Sequence, residues 1–218
     1  HNPESYSGSY VFLGMMFYAV ELYADFTGGI DITIGISELF GIDVKENFVR
    51  PFFSKSIAEY WRRWHITMGE WFKDYIFYPL SVLPSVLRFS KKLRKKLGEG
   101  VGRRYPVYLA TIVTWFVTGV WHGASWNFIV WGLLNCAVIL ISQELMPLYE
   151  RFHARFPDLQ NKFCYRLFQI ARTFLLMSSL RILDCYRSVR LSAKMYFSMF
   201  TTWNLPELLT EGIAKLGL

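Results

Sequence analysis

A stretch of 37 residues without Asp, Glu, Lys or Arg, residues 106–142, is the feature that most limits how this chain can fold. An apolar run of about 18 or more residues is long enough for one helix to cross a bilayer. The stretch therefore allows two crossings, and the glycines within residues 119–123 mark the expected break between them. A soluble domain could hardly bury so long an uncharged segment, so we predict a membrane protein.

Other apolar segments predict an all-α, polytopic transmembrane helical bundle with four or five membrane-embedded helices. Residues 168–183 predict a further span, although they include Arg172 and Arg181. We expect residues 1–218 to form a single membrane domain, and the composition agrees, because 53% of the residues are hydrophobic and 18% aromatic.

The first apolar segment, residues 10–23, is followed by Gly28 and Gly29, which lie between two aspartates. Adjacent glycines weaken a helix, and irregular backbone inside a membrane is tolerated where it lines a wet cavity. We therefore expect a break over residues 24–31, either lining a cavity or forming an interfacial turn, and then a short second helix that ends at Gly41.

An amphipathic helix that lies in the membrane interface is predicted from residue 56 to Pro79. Ser56 and Glu59 have the spacing of a capping box, which starts a helix. Aromatic residues then recur every three or four positions, with charged residues mostly off that face. Tyrosine and tryptophan favour the level of the lipid headgroups, so this aromatic face is expected at the interface.

Residues 88–104 carry eight of the 24 lysines and arginines and one acidic residue, Glu99. Such a cluster can bind nucleic acid. Because this cluster flanks the predicted pair of spans, we interpret it instead as a basic cytoplasmic loop under the positive-inside rule, in contact with membrane lipids and not with nucleic acid.

The motif inventory excludes several enzyme classes. The chain has no Walker A, Rossmann, G-x-S-x-G or H-E-x-x-H motif. Its three cysteines are scattered, so neither a disulfide framework nor a metal site is predicted. Two histidines among tryptophans, His65 and His122, remain as candidates for chemistry, and an ionisable residue in an apolar segment is a functional candidate by default.

An imidazole with the ordinary pKa of about 6.5 is mostly neutral at pH 7 and can accept a proton. Transfer of an acyl group from a thioester to a hydroxyl needs such a base, a site that orients both substrates, and donors for the developing oxyanion. It needs no nucleophile from the protein. The 57 residues between His65 and His122 give no geometric support, so only the fold can bring them together.

Four segments in this order are similar to those of one protein family. Residues 23–35 resemble its Y-x-D-F-S-G-Y-S-D-x-x-I-G pattern, and residues 47–52 its E-N-F-x-R-P-F loop. Residues 54–80 resemble its signature helix, and residues 119–126 its G-x-W-H-G-A-x-W segment. The chain thus resembles the membrane-bound O-acyltransferase family, and most of all the bacterial branch of alginate O-acetylation and teichoic acid D-alanyl transfer.

The resemblance implies that His122 is the catalytic histidine and His65 the second functional histidine, in a helical bundle around a tunnel. It implies an inner-membrane, multi-pass enzyme with no bound cofactor. Its co-substrate would be an acyl thioester on the cytoplasmic side, acetyl-CoA or an acyl carrier protein. The acceptor would be a hydroxyl of a cell-surface or exported polysaccharide, directly or with a periplasmic or extracellular acyltransferase as partner.

Further residues were assigned to the substrate site from their own chemistry. We expect Asp25 and Asp31 to line the tunnel or to satisfy broken backbone near the two glycines. Trp64, Trp121 and Trp126 are expected to shape the site and exclude water. No metal ligands are predicted.

Family members are about twice as long as this chain, so we expect it to be the C-terminal part of a longer protein and inactive alone. Departures from the family pattern, such as Gly29 and Ile30 in place of Tyr and Ser, leave the acceptor open. Acetyl transfer to a polysaccharide is the main prediction. D-alanyl transfer to teichoic acid, a transporter or channel, and a scaffold without enzymatic activity are the alternatives.

Overall fold

The computed structural model describes residues 6–202, 204–207 and 210, and within these ranges the chain forms helices and turns without a β-strand. Eleven α-helices can be delimited among the described residues. They are α1 (Ser9–Leu39), α2 (Ile57–Arg63), α3 (Ile66–Phe72), α4 (Tyr78–Ser81), α5 (Pro84–Leu97), α6 (Glu99–His122), α7 (Trp126–Glu144), α8 (Met146–Arg155), α9 (Phe163–Leu180), α10 (Ile182–Tyr186) and α11 (Val189–Thr201).

The first helix, α1, is one uninterrupted helix of 31 residues, so the predicted break over residues 24–31 is wrong. Gly28 and Gly29 continue the helical hydrogen bonding, and the Thr33 hydroxyl donates to the Gly29 carbonyl at 2.8 Å. Each glycine costs a helix only about 1 kcal/mol relative to alanine, which the surrounding helix formers offset. The chain turns out of the helix at Gly41, with φ of +70°, so the predicted stop is confirmed.

The predicted interfacial helix begins as expected but is broken in the middle. The Ser56 hydroxyl accepts the Glu59 backbone N–H at 3.2 Å, which confirms the helix start. After α2 the chain leaves helical geometry at Trp64 and at His65, where φ is +46°, and it resumes as α3. A π-helical segment, Lys73–Phe77, then leads into α4, in which Pro79 occupies the first turn and does not end the helix.

The basic segment, residues 88–104, is helical, so its prediction as a loop is wrong. It comprises the second half of α5 and the first turn and a half of α6, joined at Gly98. Lysine, arginine and leucine are good helix formers, and the two helices pack closely. The buried Ser90 hydroxyl donates to the Gly102 carbonyl across the pair at 2.6 Å. The position of this pair relative to a membrane stays a prediction.

The uncharged stretch forms the predicted helical hairpin of α6 and α7. Gly119 is required where they cross, because a Cβ there would lie 2.6 Å from the Phe128 carbonyl oxygen. At the open end, Arg104 pairs with Glu144 at 2.7 Å. Within the described part of the chain, α7 is the helix whose length and hydropathy suffice to cross a membrane.

The C-terminal helices complete one wall of the bundle. The chain after α7 forms α8 and a 3₁₀ turn, Pro157–Asn161. Residues 168–183, predicted as a further span, fall in α9 and the short α10, with Arg181 between the two helices. The hydrophobic core gathers around the break between α2 and α3, and its buried members are Phe48, Tyr60, Trp64, Trp131, Met177, Leu180 and Leu183.

Candidate active site

Two cavities meet beside the break between α2 and α3. The larger, of about 620 Å³, runs along α6 and includes Thr111, Thr118 and Gln143 in its lining; we call it the α6 groove. The smaller, of about 180 Å³, lies at the C-terminal end of α6 and is called the histidine cavity. Four residues line both cavities: Trp61, Trp64, His65 and Met68.

The histidine cavity brings together the two histidines that lie 57 residues apart in sequence. His65 and His122 both line it, on separate elements. The Trp121 ring is near both, with its centroid 5.0 Å from that of the His122 ring and 6.4 Å from that of the His65 ring. The fold therefore supplies the proximity that sequence spacing could not.

His122 is the last residue of α6 and is surrounded by aromatic rings. Its ring centroid lies 4.7 Å from that of Trp131, and it stacks on Phe128 at 6.1 Å with an angle of 23°. The imidazole is half-buried in this setting. Because Gly123 and the turn after it end the helix, the ring lies at a helix terminus beside the cavity.

His65 is held by hydrogen bonds and not only by packing. Its Nδ1 lies 3.1 Å from the Asn47 Oδ1, and its ring is near those of Phe26 and Phe48, with centroids 6.0 Å away in both cases. Burial and the positive charge of Arg181 lower the pKa of His65 below its ordinary value of 6.5. The ring is therefore neutral at pH 7.

A buried ion pair forms the floor of the site, and sequence reasoning missed it. The side chains of Arg181 and Asp184 are 6% and 11% exposed and pair at 3.1 Å. The Arg181 guanidinium lies 5.0 Å from the ring centroids of both Trp64 and Trp131. An arginine and an aspartate three residues apart in an apolar segment were the available signal, since such charges mark functional sites in membranes.

The other residues predicted from sequence divide into two groups. Trp64 is buried and lines both cavities. Trp121 lines neither cavity and is 57% exposed, but its ring packs near those of both histidines. Trp126, the first residue of α7, is 75% exposed and lines neither cavity. Asp25 and Asp31 are exposed on α1, also outside both cavities. Because α1 is continuous, no broken backbone turns these carboxylates toward the histidines.

Among the described residues, no three His, Cys, Asp or Glu side chains converge in a way that could hold a metal ion. The titratable groups that line the histidine cavity are the two imidazoles, the Arg181–Asp184 pair, Tyr18 and Arg187. A neutral imidazole in such a cavity can accept a proton or a hydrogen bond, and the arginine can steady developing negative charge nearby. The arrangement suits proton transfer from a hydroxyl.

The chain is similar in sequence to known proteins. Residues 3–93 match the model of MBOAT, the membrane-bound O-acyltransferase family. The chain is 30% identical to a probable alginate O-acetylase of Pseudomonas aeruginosa, over 90% of this chain and 33% of the relative. It is 33% identical to a peptidoglycan O-acetyltransferase of Helicobacter pylori, over 65% of this chain and 24% of the relative.

A third relative is a teichoic acid D-alanyltransferase of Streptococcus thermophilus, with 31% identity over 60% of this chain and 29% of the relative. The chain thus spans about a quarter to a third of the length of these curated relatives. The matched region includes the loop at Asn47 and the break at His65, and the relatives are similar over most of the chain. The chain belongs to the membrane-bound O-acyltransferase family.

Proposed function

We propose that the protein containing this chain is a membrane-embedded O-acyltransferase that moves an acetyl group from a thioester to a hydroxyl of a cell-surface or exported polysaccharide. Two of the relatives named above are an alginate O-acetylase and a peptidoglycan O-acetyltransferase, which supports acetyl as the group. The observation that carries the proposal is the meeting of His65 and His122 in one cavity that adjoins a longer groove.

In the proposed reaction, the acceptor hydroxyl oxygen attacks the carbonyl carbon of the thioester. His122 takes the hydroxyl proton as the C–O bond forms, and the C–S bond breaks with its electron pair going to sulfur. The proton then passes to the thiolate, so the products are an O-acyl ester and a free thiol. His65 contacts one of the substrates, either to orient the acceptor or to polarise the acyl carbonyl.

The chemistry needs no cofactor held by the protein, and the thioester is a substrate, acetyl-CoA or an acyl carrier protein. We propose that it enters along the α6 groove, since Gln143 in the groove adjoins Glu144, which pairs with Arg104 in the basic segment. The positive-inside rule assigns that end of the hairpin to the cytoplasm. The acceptor would then reach the histidine cavity from the other side of an inner membrane that the protein crosses several times.

The decisive experiment compares surface polysaccharide from cells that carry the full-length protein with that from cells carrying its His122→Ala form. General-base assistance is worth roughly 10²- to 10⁴-fold, so O-acyl ester measured by mass spectrometry should fall at least about 100-fold. His153→Ala is the matched control, because His153 lies on α8 and bonds the Tyr165 hydroxyl. Unchanged ester content in the His122→Ala cells would contradict the proposal.

Transfer of D-alanine from a carrier-protein thioester is a second candidate, favoured by the similarity to teichoic acid D-alanyltransferases. It needs a docking surface for the carrier, and the basic segment over residues 88–104 suits an acidic one. Mass spectrometry of the esterified polymer separates the two, because acetyl and alanyl esters differ in mass. Co-purification with candidate carrier proteins provides an independent test. A scaffold for another acyltransferase would lose no product in the His122→Gln form, and a transporter would show no acyl transfer.

A further inference from the structure

Asn47, in the loop before the signature helix, is almost completely buried, with 4% of its surface exposed. Its Oδ1 accepts the Thr67 hydroxyl at 2.7 Å and the Thr67 backbone N–H at 3.2 Å, and the same oxygen lies 3.1 Å from the His65 Nδ1. Its Nδ2 donates to the Lys45 carbonyl at 3.3 Å. One amide side chain thus connects the loop, the histidine and the start of α3.

These partners determine which way the amide faces. A backbone N–H can only donate, so the atom facing Thr67 must be the oxygen. A backbone carbonyl can only accept, so the atom facing Lys45 must be the nitrogen. The two assignments agree with each other. The His65 Nδ1 therefore faces an acceptor and must carry the hydrogen.

A neutral imidazole carries one hydrogen, and which nitrogen carries it is set by the bond that the other makes. With the hydrogen on Nδ1, the His65 Nε2 keeps its lone pair. This nitrogen can accept a hydrogen bond inside the cavity that the ring lines, and it cannot donate one. A carbonyl oxygen needs a donor, so a neutral His65 in this form does not polarise the acyl carbonyl.

The backbone around His65 keeps the ring in this arrangement. The Ile66 N–H donates to the Asn47 carbonyl at 3.0 Å, and the Val49 N–H donates to the Arg63 carbonyl at 3.0 Å. Together they clamp the loop to both sides of the helix break. The left-handed conformation of His65 costs about 1–2 kcal/mol, and such strain persists where the surroundings determine it.

We propose that Asn47 is a positioning residue that holds His65 as the Nδ1–H tautomer, so that Nε2 accepts a hydrogen bond from the acceptor substrate. The inference deepens the proposed function and rests on it for the identity of the substrate. The His65 Nε2 then holds the acceptor substrate by accepting a hydrogen bond from one of the substrate's hydroxyls. His122 takes the proton of the hydroxyl that attacks. Nothing in this role involves the thioester carbonyl.

The tautomer can be measured without any activity. In full-length protein with ¹⁵N-labelled histidine, the His65 signals, assigned by their loss in His65→Gln, should show a protonated Nδ1 and an unprotonated Nε2. Asn47→Ala should lose this preference, and Asn135→Ala, which removes a buried asparagine that bonds only the Trp131 carbonyl, should keep it. A protonated Nε2 in the unmodified protein would overturn the inference, whether or not the protein is a transferase.

Kinetics test the role. Asn47→Ala should lower kcat/KM for the acceptor about 10- to 100-fold, less than the roughly 10²- to 10⁴-fold worth of a general acid or base itself, because Asn47 acts through His65. The slow hydrolysis of the thioester by water should stay within twofold, because the carbonyl is not held by His65. Asn47→Asp should recover part of the loss, since one carboxylate oxygen accepts the same three hydrogens, although the other cannot donate to the Lys45 carbonyl as the amide nitrogen does. Its pH profile should shift to higher pH, because a negative charge raises the pKa of His65 against the effect of Arg181.

A structural role for Asn47 predicts different results. It would make Asn47→Ala as harmful in a His65→Ala background as in the unmodified protein, whereas a role through His65 predicts less than twofold further loss there. Asn47→Asp no better than Asn47→Ala would also overturn the inference. If Asn47→Ala fails to fold, the Asp variant and the tautomer measurement decide. Transferase activity absent throughout, with the Nδ1–H tautomer present, would remove the proposed function and leave the positioning intact.

Discussion

The two histidines of the site are held in place by different means. His65 lies at a left-handed break between two helices, clamped by the Asn47 loop through backbone and side-chain hydrogen bonds. His122 ends a regular helix and is surrounded by the rings of Trp121, Phe128 and Trp131. Hydrogen bonds determine which nitrogen of a ring carries the proton, whereas aromatic packing determines only where the ring lies. The difference implies that His65 has a defined polarity and that His122 is freer to exchange a proton.

Arg181 is what the two environments have in common, and its removal should have the largest effect. Arg181→Met leaves the Asp184 carboxylate buried without a partner, which costs about 3–5 kcal/mol. The loss should appear as a lower free energy of unfolding in detergent. Arg181→Met combined with Asp184→Leu should recover most of it, because both charges are then gone. A double variant as unstable as the single one would mean that packing, not the unpaired charge, is responsible.

The second largest effect is expected from the backbone conformation, which is left-handed at position 65 and helical at position 122. His65→Gly and His65→Val both lack the imidazole, but only glycine accepts a φ of +46° without strain. His65→Val should therefore be less stable than His65→Gly by about 1–2 kcal/mol in thermal unfolding. Position 122 has helical backbone geometry, so the His122→Val variant should be at least as stable as the His122→Gly variant. The same order of stability at both positions would contradict the distinction.

Trp121 tests whether a shared aromatic neighbour matters to both rings. Trp121→Ala should lower kcat about tenfold, because a ring packed near both histidines is lost and both can shift. Trp126→Ala is the matched control, since Trp126 is 75% exposed and lines neither cavity, and its kcat should change less than twofold. Equal losses of kcat in the two variants would show that both tryptophans contribute through contact with the membrane interface and not through the site.

The smallest expected effect is on stability and concerns the N-terminal caps of α2 and α3. α2 begins with the Ser56 cap, whereas α3 begins at His65 with no side-chain cap. Ser56→Ala should cost about 1 kcal/mol of unfolding free energy and leave the His65 tautomer and kcat unchanged. A change in the tautomer would mean that the cap, and not only Asn47, sets the geometry of the break.

Much of this architecture could be predicted because it follows from local patterns. The uncharged stretch predicted the α6–α7 hairpin, and Ser56 with Glu59 predicted where α2 begins. The motifs around His65 and His122 predicted the family. The break in α1 was wrongly predicted because two glycines weaken a helix but do not end it when apolar turns continue on both sides. The basic segment was predicted as a loop from its charge and position, although lysine and arginine are good helix formers.

What the sequence alone determined was the class of protein, the helical hairpin and the two imidazoles. The tertiary structure decided the rest, because it depends on contacts between residues far apart in the chain. Only the fold brings His65 and His122 to one cavity, places Arg181 between Trp64 and Trp131, and leaves Asp25 and Asp31 outside. Only the fold directs the Asn47 oxygen at the His65 ring, since a hydrogen bond depends on distance and direction that spacing along a chain does not specify.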